Sequence, residues 1–197
     1  MKVWFEGKEF TKDWTSNKLD LWLPILAPRR EQPCSILEVG SYEGRSAVAF
    51  LEALPLSSIT CIDIFKESEI EARFDRNLAS YGSRVTKHKA SAVPMMERLL
   101  KKGRSYDLIY LDAAKDRAGA FVVSALGWAL LKVGGILIWD DLAWRPRRDQ
   151  AKRPEMGSRL FMSIFAGCME LLHDDPAHRT RWPGQCVARK IGEWPSV

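Results

Sequence analysis

Three aspartates and one lysine stand where short apolar runs end. Asp112 closes YDLIYLD, Asp140 and Asp141 close GGILIWDD, and Lys115 follows Asp112 by three residues. Adjacent parallel strands lie about 4.8 Å apart, so carboxylates at two strand ends can converge on one sheet edge. Three converging carboxylates repel unless a cation or proton intervenes. All-oxygen ligation suits a hard divalent ion such as magnesium or calcium, which makes Asp112, Asp140 and Asp141 a candidate metal set. The plainer alternative is that Asp112 contacts only a bound cofactor while Asp140 or Asp141 caps the following turn. Lys115 lies close to one helical turn beyond Asp112, which brings its amine to the same edge. Desolvation or a neighbouring cation can lower a lysine's pKa enough for it to act as a general base. Pairing with Asp116 or another acid on the surface is the competing role.

A second chemical signal is the turn in LEVGSYEGRSAVAF. An apolar run ends at Gly40, a tight loop passes through Ser41 and Tyr42, and a helix opens near Gly44 with Ser46 in its first turn. Unpaired N–H groups and the partial positive charge of a helix start suit a carboxylate as well as a phosphate. Asp63 closes the next apolar run about twenty residues on, where such folds set an acid against ribose hydroxyls, and Glu38 adds a second acid. Together they imply a nucleoside ligand. Tyr42 occupies the place of the middle glycine of a dinucleotide fingerprint, which weakens an NAD reading. Glycines needed only for turn geometry are the alternative.

These residues need a frame. SILEVG, SITCIDIF, YDLIYLD and GGILIWDD read as parallel strands buried on both faces. Residues 44–54, 66–80, 92–102 and 115–131 carry helical spacing between them. Lys132-Val133-Gly134-Gly135 reads as a helix stop before a strand from Ile136. Residues 16–27 form a lead-in helix ended by Pro28, Arg29 and Arg30. Past Trp144 come a basic, proline-containing loop, a helix from Gly157 to Gly167, and closing strands Met169–His173 and Gln185–Ile191. The predicted fold is α/β: a Rossmann-like, doubly wound, mostly parallel seven-stranded sheet with helices on both faces. A lead-in segment, 1–34, precedes the main body, 35–197, in a single globular domain.

LEVGSYEGRSAVAF and Asp63 resemble the first two motifs of class I S-adenosylmethionine-dependent methyltransferases. The Gly-Ser-Tyr-Glu-Gly form is similar to the metal-dependent catechol O-methyltransferase-like branch. YDLIYLDAAKDRAGA followed by GGILIWDDLAW resembles that branch's fourth and fifth strands, so the likeness runs from about Ser35 to Trp144. It implies that Glu38, Gly40, Tyr42 and Ser46, with Ser41 and Gly44 in the same loop, hold the methionine part of S-adenosylmethionine. It sets Asp63 at the ribose, Ser91 at the adenine edge and Asp112 beside the cofactor. The matching acids bind magnesium in that branch, and the matching lysine deprotonates the acceptor hydroxyl. Two departures stand out: the third metal ligand there is usually asparagine, where this chain has Asp141, and Ala113 and Ala114 offer no wall for adenine. The implied reaction is direct displacement, with the sulfonium methyl in line with an acceptor oxygen. The implied acceptor is a small hydroxylated molecule, and a homodimer is in keeping with the branch. The rival readings are a metal-independent methyltransferase acting on nitrogen or on a macromolecule, guided by the basic segment Arg145 to Arg153, and a non-catalytic cofactor-binding module.

Bulk properties set bounds. The 197 residues suffice for one core; 46% are hydrophobic and 28% charged, with no apolar run long enough for a membrane span. The segment MKVWFEGKEF lacks signal-peptide character, so a cytoplasmic protein is expected. Cys34, Cys61, Cys168 and Cys186 show no CxxC pair and read as free thiols. The net charge of +5 is modest, and WRPRRDQAKRP reads first as a solvated loop. Lys87, Lys89, Lys101, Lys102 and Arg104 form a basic face without the aromatic interleaving of an RNA platform, so no nucleic-acid partner is expected. Trp144 is the best candidate for an acceptor wall, while Trp128 and Trp139 are assigned to the core. His88, His173 and His178 receive no chemistry.

Overall fold

The computed structural model describes residues 3–142, 149, 153–174 and 184–193. Trp144, His178 and most of the basic segment Arg145 to Arg153 lie outside the described residues. Seven strands are β1 Cys34–Val39, β2 Ser57–Asp63, β3 Val85–Lys89, β4 Tyr106–Leu111, β5 Leu131–Trp139, β6 Met169–Asp174 and β7 Cys186–Lys190. They form one sheet in the order β3-β2-β1-β4-β5-β7-β6, the mostly parallel sheet expected. No helix among the described residues is long and apolar enough to cross a membrane.

The chain divides into two compact units, 1–91 and 92–197. In the first, helices α1 Leu19–Leu26, α2 Arg45–Ala53 and α3 Ser68–Leu78 accompany three parallel strands. Ile36, Leu37 and Val39 are fully buried, as expected of a strand covered on both faces. Trp22 stacks on Phe50 with ring centroids 4.7 Å apart; burying such a side chain contributes roughly 2–3 kcal/mol. The sequence reading passed over β3 as a strand. Its residues VTKHK are half-buried or exposed, with none fully buried, and Lys87 and Lys89 are not merely a solvated face: Lys87 bonds Glu71 and Asp75 of α3, and Lys89 bonds Glu71. β3 is an edge strand, where charged side chains discourage pairing with foreign strands.

The second unit contains α4 Ala92–Lys101, α5 Arg117–Leu130 and α6 Pro154–Ile164. Asp116 caps α5 by accepting the Gly119 N–H at 2.9 Å. The expected helix stop at Lys132–Gly135 is corrected: α5 runs directly into β5, which begins at Leu131. Gly134, at φ 81°, makes its bend inside the strand, where the register with β4 jumps from Tyr106–Leu131 to Leu108–Ile136. The C-terminus of α5 is closed instead by the buried Lys190, whose Nζ donates to the carbonyls of Trp128 at 3.1 Å and Leu131 at 2.9 Å. The helix expected from Gly157 starts at Pro154, whose fixed φ suits a first turn. Gly157 is needed within the helix, because a Cβ there would stand 2.0 Å from the Arg117 carbonyl of α5. Phe161 packs on Phe165 and beside Trp128 and Trp139, confirming both tryptophans as core.

Candidate active site

β1 delivers Glu38 and then turns sharply. Gly40 has φ 94°, Tyr42 48° and Gly44 81°, and only the two glycines adopt such angles without strain. Asp63, from the end of β2, pins the loop: its Oδ2 accepts the Tyr42 N–H at 2.9 Å and its Oδ1 the Phe65 N–H at 2.7 Å. The Gly40 N–H donates to the Ile62 carbonyl at 2.8 Å. Ser46 is buried in the first turn of α2, and Ser41 is buried in the loop. Ser91 is exposed immediately before α4. The structure thus gathers Glu38, Gly40, Ser41, Tyr42, Gly44, Ser46 and Asp63 around one turn.

Glu38 is fully buried. Burial raises its pKa from the ordinary 4.5 to about 7, the nearby Ser46, Ser41 and Cys61 partly offset that, and the Asp63 charge adds to it. Cys61 Sγ donates to Glu38 Oε2 at 3.6 Å. Neither Glu38 Oε1 nor Ser41 Oγ completes a hydrogen bond within the chain. Buried polar atoms in that state are uncommon and mark a place for a ligand or water.

The acids of the second unit are arranged differently from expectation. Lys115 Nζ donates to Asp112 Oδ1 at 2.8 Å and also bonds Asp141 Oδ2. Asp140 is engaged elsewhere: it accepts the Tyr110 hydroxyl on Oδ2 and the Asp141 N–H on Oδ1 at 2.8 Å. The three carboxylates are thus engaged by different partners, Asp112 and Asp141 by Lys115 and Asp140 by the buried phenol of Tyr110. No group of three His, Cys, Asp or Glu among the described residues is placed to hold a metal ion. The expected lowering of the Lys115 pKa is also corrected. Burial alone would lower it, but the charges of Asp112 and Asp141 outweigh burial and raise it. Asp112 is raised well above the ordinary carboxylate range by burial and by Asp140, against the pull of Lys115. A cleft beside Asp112 and Asp140 is lined by Ala113, Ala114, Val123, Ser124 and Trp139.

The sequence reading missed a segment ahead of the turn. Thr11 donates to Glu43, Arg45 donates to Asp13 and Ser16, and the Trp14 ring lies 5.3 Å from that of Tyr42. Glu43 and Arg45 flank Gly44 and look like spacers in one dimension; a glutamate set inside the glycine turn was the available signal.

A methyltransferase-domain profile matches residues 37–142. A caffeoyl-CoA O-methyltransferase from Stellaria longipes is 29% identical over 117 residues, covering 57% of this chain and 48% of its own length. The O-methyltransferase hkm8 from Aspergillus hancockii is 30% identical over 120 residues, covering 61% and 47% respectively. This chain spans about half the length of these curated relatives. Among solved structures, the O-methyltransferase TomG from Streptomyces achromogenes, in complex with SAM, superposes with a TM-score of 0.70 at 19% identity, over 91% of this chain and 82% of its own. The profile match covers more than half of the 197 residues and contains both the glycine turn and the acidic cluster; the chain belongs to the methyltransferase-domain family.

Proposed function

We propose that the protein transfers a methyl group from S-adenosylmethionine to the oxygen of a small hydroxylated molecule. The observation that carries the reading is the Lys115 ammonium held against Asp112, a cation and a proton acceptor in contact just beyond the end of β4. The O-methyltransferase names of the relatives support oxygen as the acceptor atom.

The glycine turn suits the cofactor, since Glu38 Oε1 and Ser41 Oγ await partners and Gly40 leaves the backbone open to close approach. Glu38, Gly40, Ser41, Tyr42, Gly44 and Ser46 would hold the methionine part, Asp63 the ribose and Ser91 the adenine edge. Asp63 can still accept ribose hydroxyls, because each carboxylate oxygen has a second lone pair beyond its bond to a backbone N–H. When bound, the cofactor supplies an electrophilic methyl group on a sulfonium.

Within the chain, Asp112 takes the proton of the acceptor hydroxyl; its raised pKa makes its carboxylate a stronger base than an ordinary aspartate. Lys115 stays protonated and stabilises the negative charge that develops on the acceptor oxygen. A divalent ion on Asp112, Asp140 and Asp141 would have to displace Lys115 from two of these acids and Tyr110 from the third, and this reading keeps Lys115 in place.

Calorimetric titration with S-adenosylmethionine tests the first half of this reading, and transfer of labelled methyl to a catechol tests the second. Binding with transfer to oxygen is the expected result. No heat of binding under any condition would sink the proposal, and label recovered on nitrogen would redirect it.

A further inference from the structure

Glu43 is only 1% exposed, an uncommon burial for a carboxylate in a glycine turn. Its charge is met by three donors: the Thr11 N–H at 2.6 Å, the Thr11 hydroxyl at 2.9 Å and Arg73 at 3.2 Å. Its backbone carbonyl accepts the buried Asn77 side chain at 2.9 Å, and Asn77 also exchanges two hydrogen bonds with the backbone of Glu9. Across Gly44, Arg45 donates to Asp13 at 2.8 Å and Ser16 at 3.0 Å, with its guanidinium 4.0 Å over the Phe5 ring. Between these anchors the Tyr42 hydroxyl lies 3.3 Å from Thr11 Oγ1, and its ring faces Trp14. Residues 8–16 are thus fastened to the glycine turn at Tyr42, Glu43 and Arg45.

The turn needs such fastening. Tyr42 has φ 48°, an angle that a bulky residue keeps only where its surroundings over-determine it. A loop that adopted this shape only on meeting a ligand would lose affinity to its own ordering. We propose that Glu43 is a positioning residue for cofactor binding: by clamping residues 8–16 onto the turn, it holds Tyr42 and its neighbouring N–H groups in the binding shape before the ligand arrives. This rests on the S-adenosylmethionine reading given above.

The test combines calorimetry with hydrogen–deuterium exchange on the full chain. Glu43→Ala should raise the Kd for S-adenosylmethionine about tenfold, the loss expected for hydrogen bonds to a charged group. Its kcat at saturating cofactor should stay within about twofold of the wild type, since no reacting atom has been touched. Peptides covering residues 8–16 should exchange faster, because the Thr11 N–H loses its acceptor. Glu43→Gln keeps an acceptor for that N–H and should restore most of the affinity, a rescue that general destabilisation would not give. Thr11→Val, at an exposed site where folding is not at stake, should weaken binding by about twofold to threefold. If Glu43→Ala and Thr11→Val bind the cofactor as tightly as the wild type while exchange in residues 8–16 rises, the positioning role is overturned alone. If the wild type binds no S-adenosylmethionine, the cofactor reading falls and takes this inference with it.

Discussion

The Lys115 ammonium stands 2.8 Å from the Asp112 carboxylate, and Asp141 accepts from the same nitrogen. Two anions on one amine fix its charge, so its contribution is electrostatic. A base must release its proton to act, and this lysine is held in the form that cannot accept one.

Replacing Lys115 by Met should lower kcat by about 10²–10³, the usual cost of losing one charged group that stabilises a developing oxyanion. The Kd for S-adenosylmethionine should change by less than about twofold, since the cofactor-holding residues are untouched. Lys115→Arg retains the charge but cannot serve as a base, and it should keep part of the activity. Equal losses in the two variants would argue for proton abstraction by lysine.

The pH–rate profile should carry an acidic limb set by Asp112. Its carboxyl must be ionised to accept a proton, so activity falls as pH drops through its raised pKa. No further rise should appear in the ordinary range of lysine, and a second rise there would restore the base role to Lys115.

Chelation should leave turnover within about twofold of the untreated rate, because Lys115 supplies the positive charge between Asp112 and Asp141. Removing that charge in Lys115→Met leaves two neighbouring acids uncompensated, and magnesium binding should then appear by calorimetry. Wild-type activity that vanishes with chelator and returns with magnesium would mean that Lys115 yields its place to the ion.

Glu38 sets a stability profile of its own. With its pKa raised from 4.5 to about 7 in the folded state, folding binds a proton between those values. The stability this confers is fully present below about pH 4.5 and is lost as pH rises through about 7. Glu38→Gln removes the dependence, so urea denaturation should find the variant gaining on the wild type between pH 5 and 8 by up to about 3 kcal/mol. An unchanged difference across that range would show that Glu38 titrates normally.

Gly44→Ala should destabilise the chain by about 1–2 kcal/mol. The position has φ 81°, and a Cβ there would lie 3.0 Å from Leu78 Cδ1 and 3.1 Å from Phe74 Cδ2. Thermal unfolding measures this directly, and an unaltered melting temperature would mean that both side chains yield freely.

The elements with an unambiguous pattern were legible in the sequence. β1, β2, β4 and most of β5 are apolar runs closed by glycine or acid, and they appear within a few residues of their predicted limits. β3 escaped because VTKHK has one apolar residue and no fully buried one, and is completed by α3 acids that sequence spacing does not connect to it. Gly134 was assigned to a helix stop and Gly157 to a helix start. Gly134 instead serves a bend within a strand, and Gly157 a close approach of two helices. At the site, residue types and strand ends were readable, but the partners of each charge were not. That Tyr110 captures Asp140, or that Thr11 reaches Glu43 across 32 positions, depends on how distant segments meet.

The lysine that closes α5 has a temporal consequence. Lys190 emerges from the ribosome 59 residues after Leu131, whose carbonyl it satisfies. Until then the Leu131 carbonyl lacks its Lys190 donor and the Trp128 carbonyl has only the Leu131 N–H, so during synthesis the second unit must wait for β7 before its corner can lock. A nascent chain stalled short of residue 190 should remain protease-sensitive there, and one extended past it should acquire resistance in a single step.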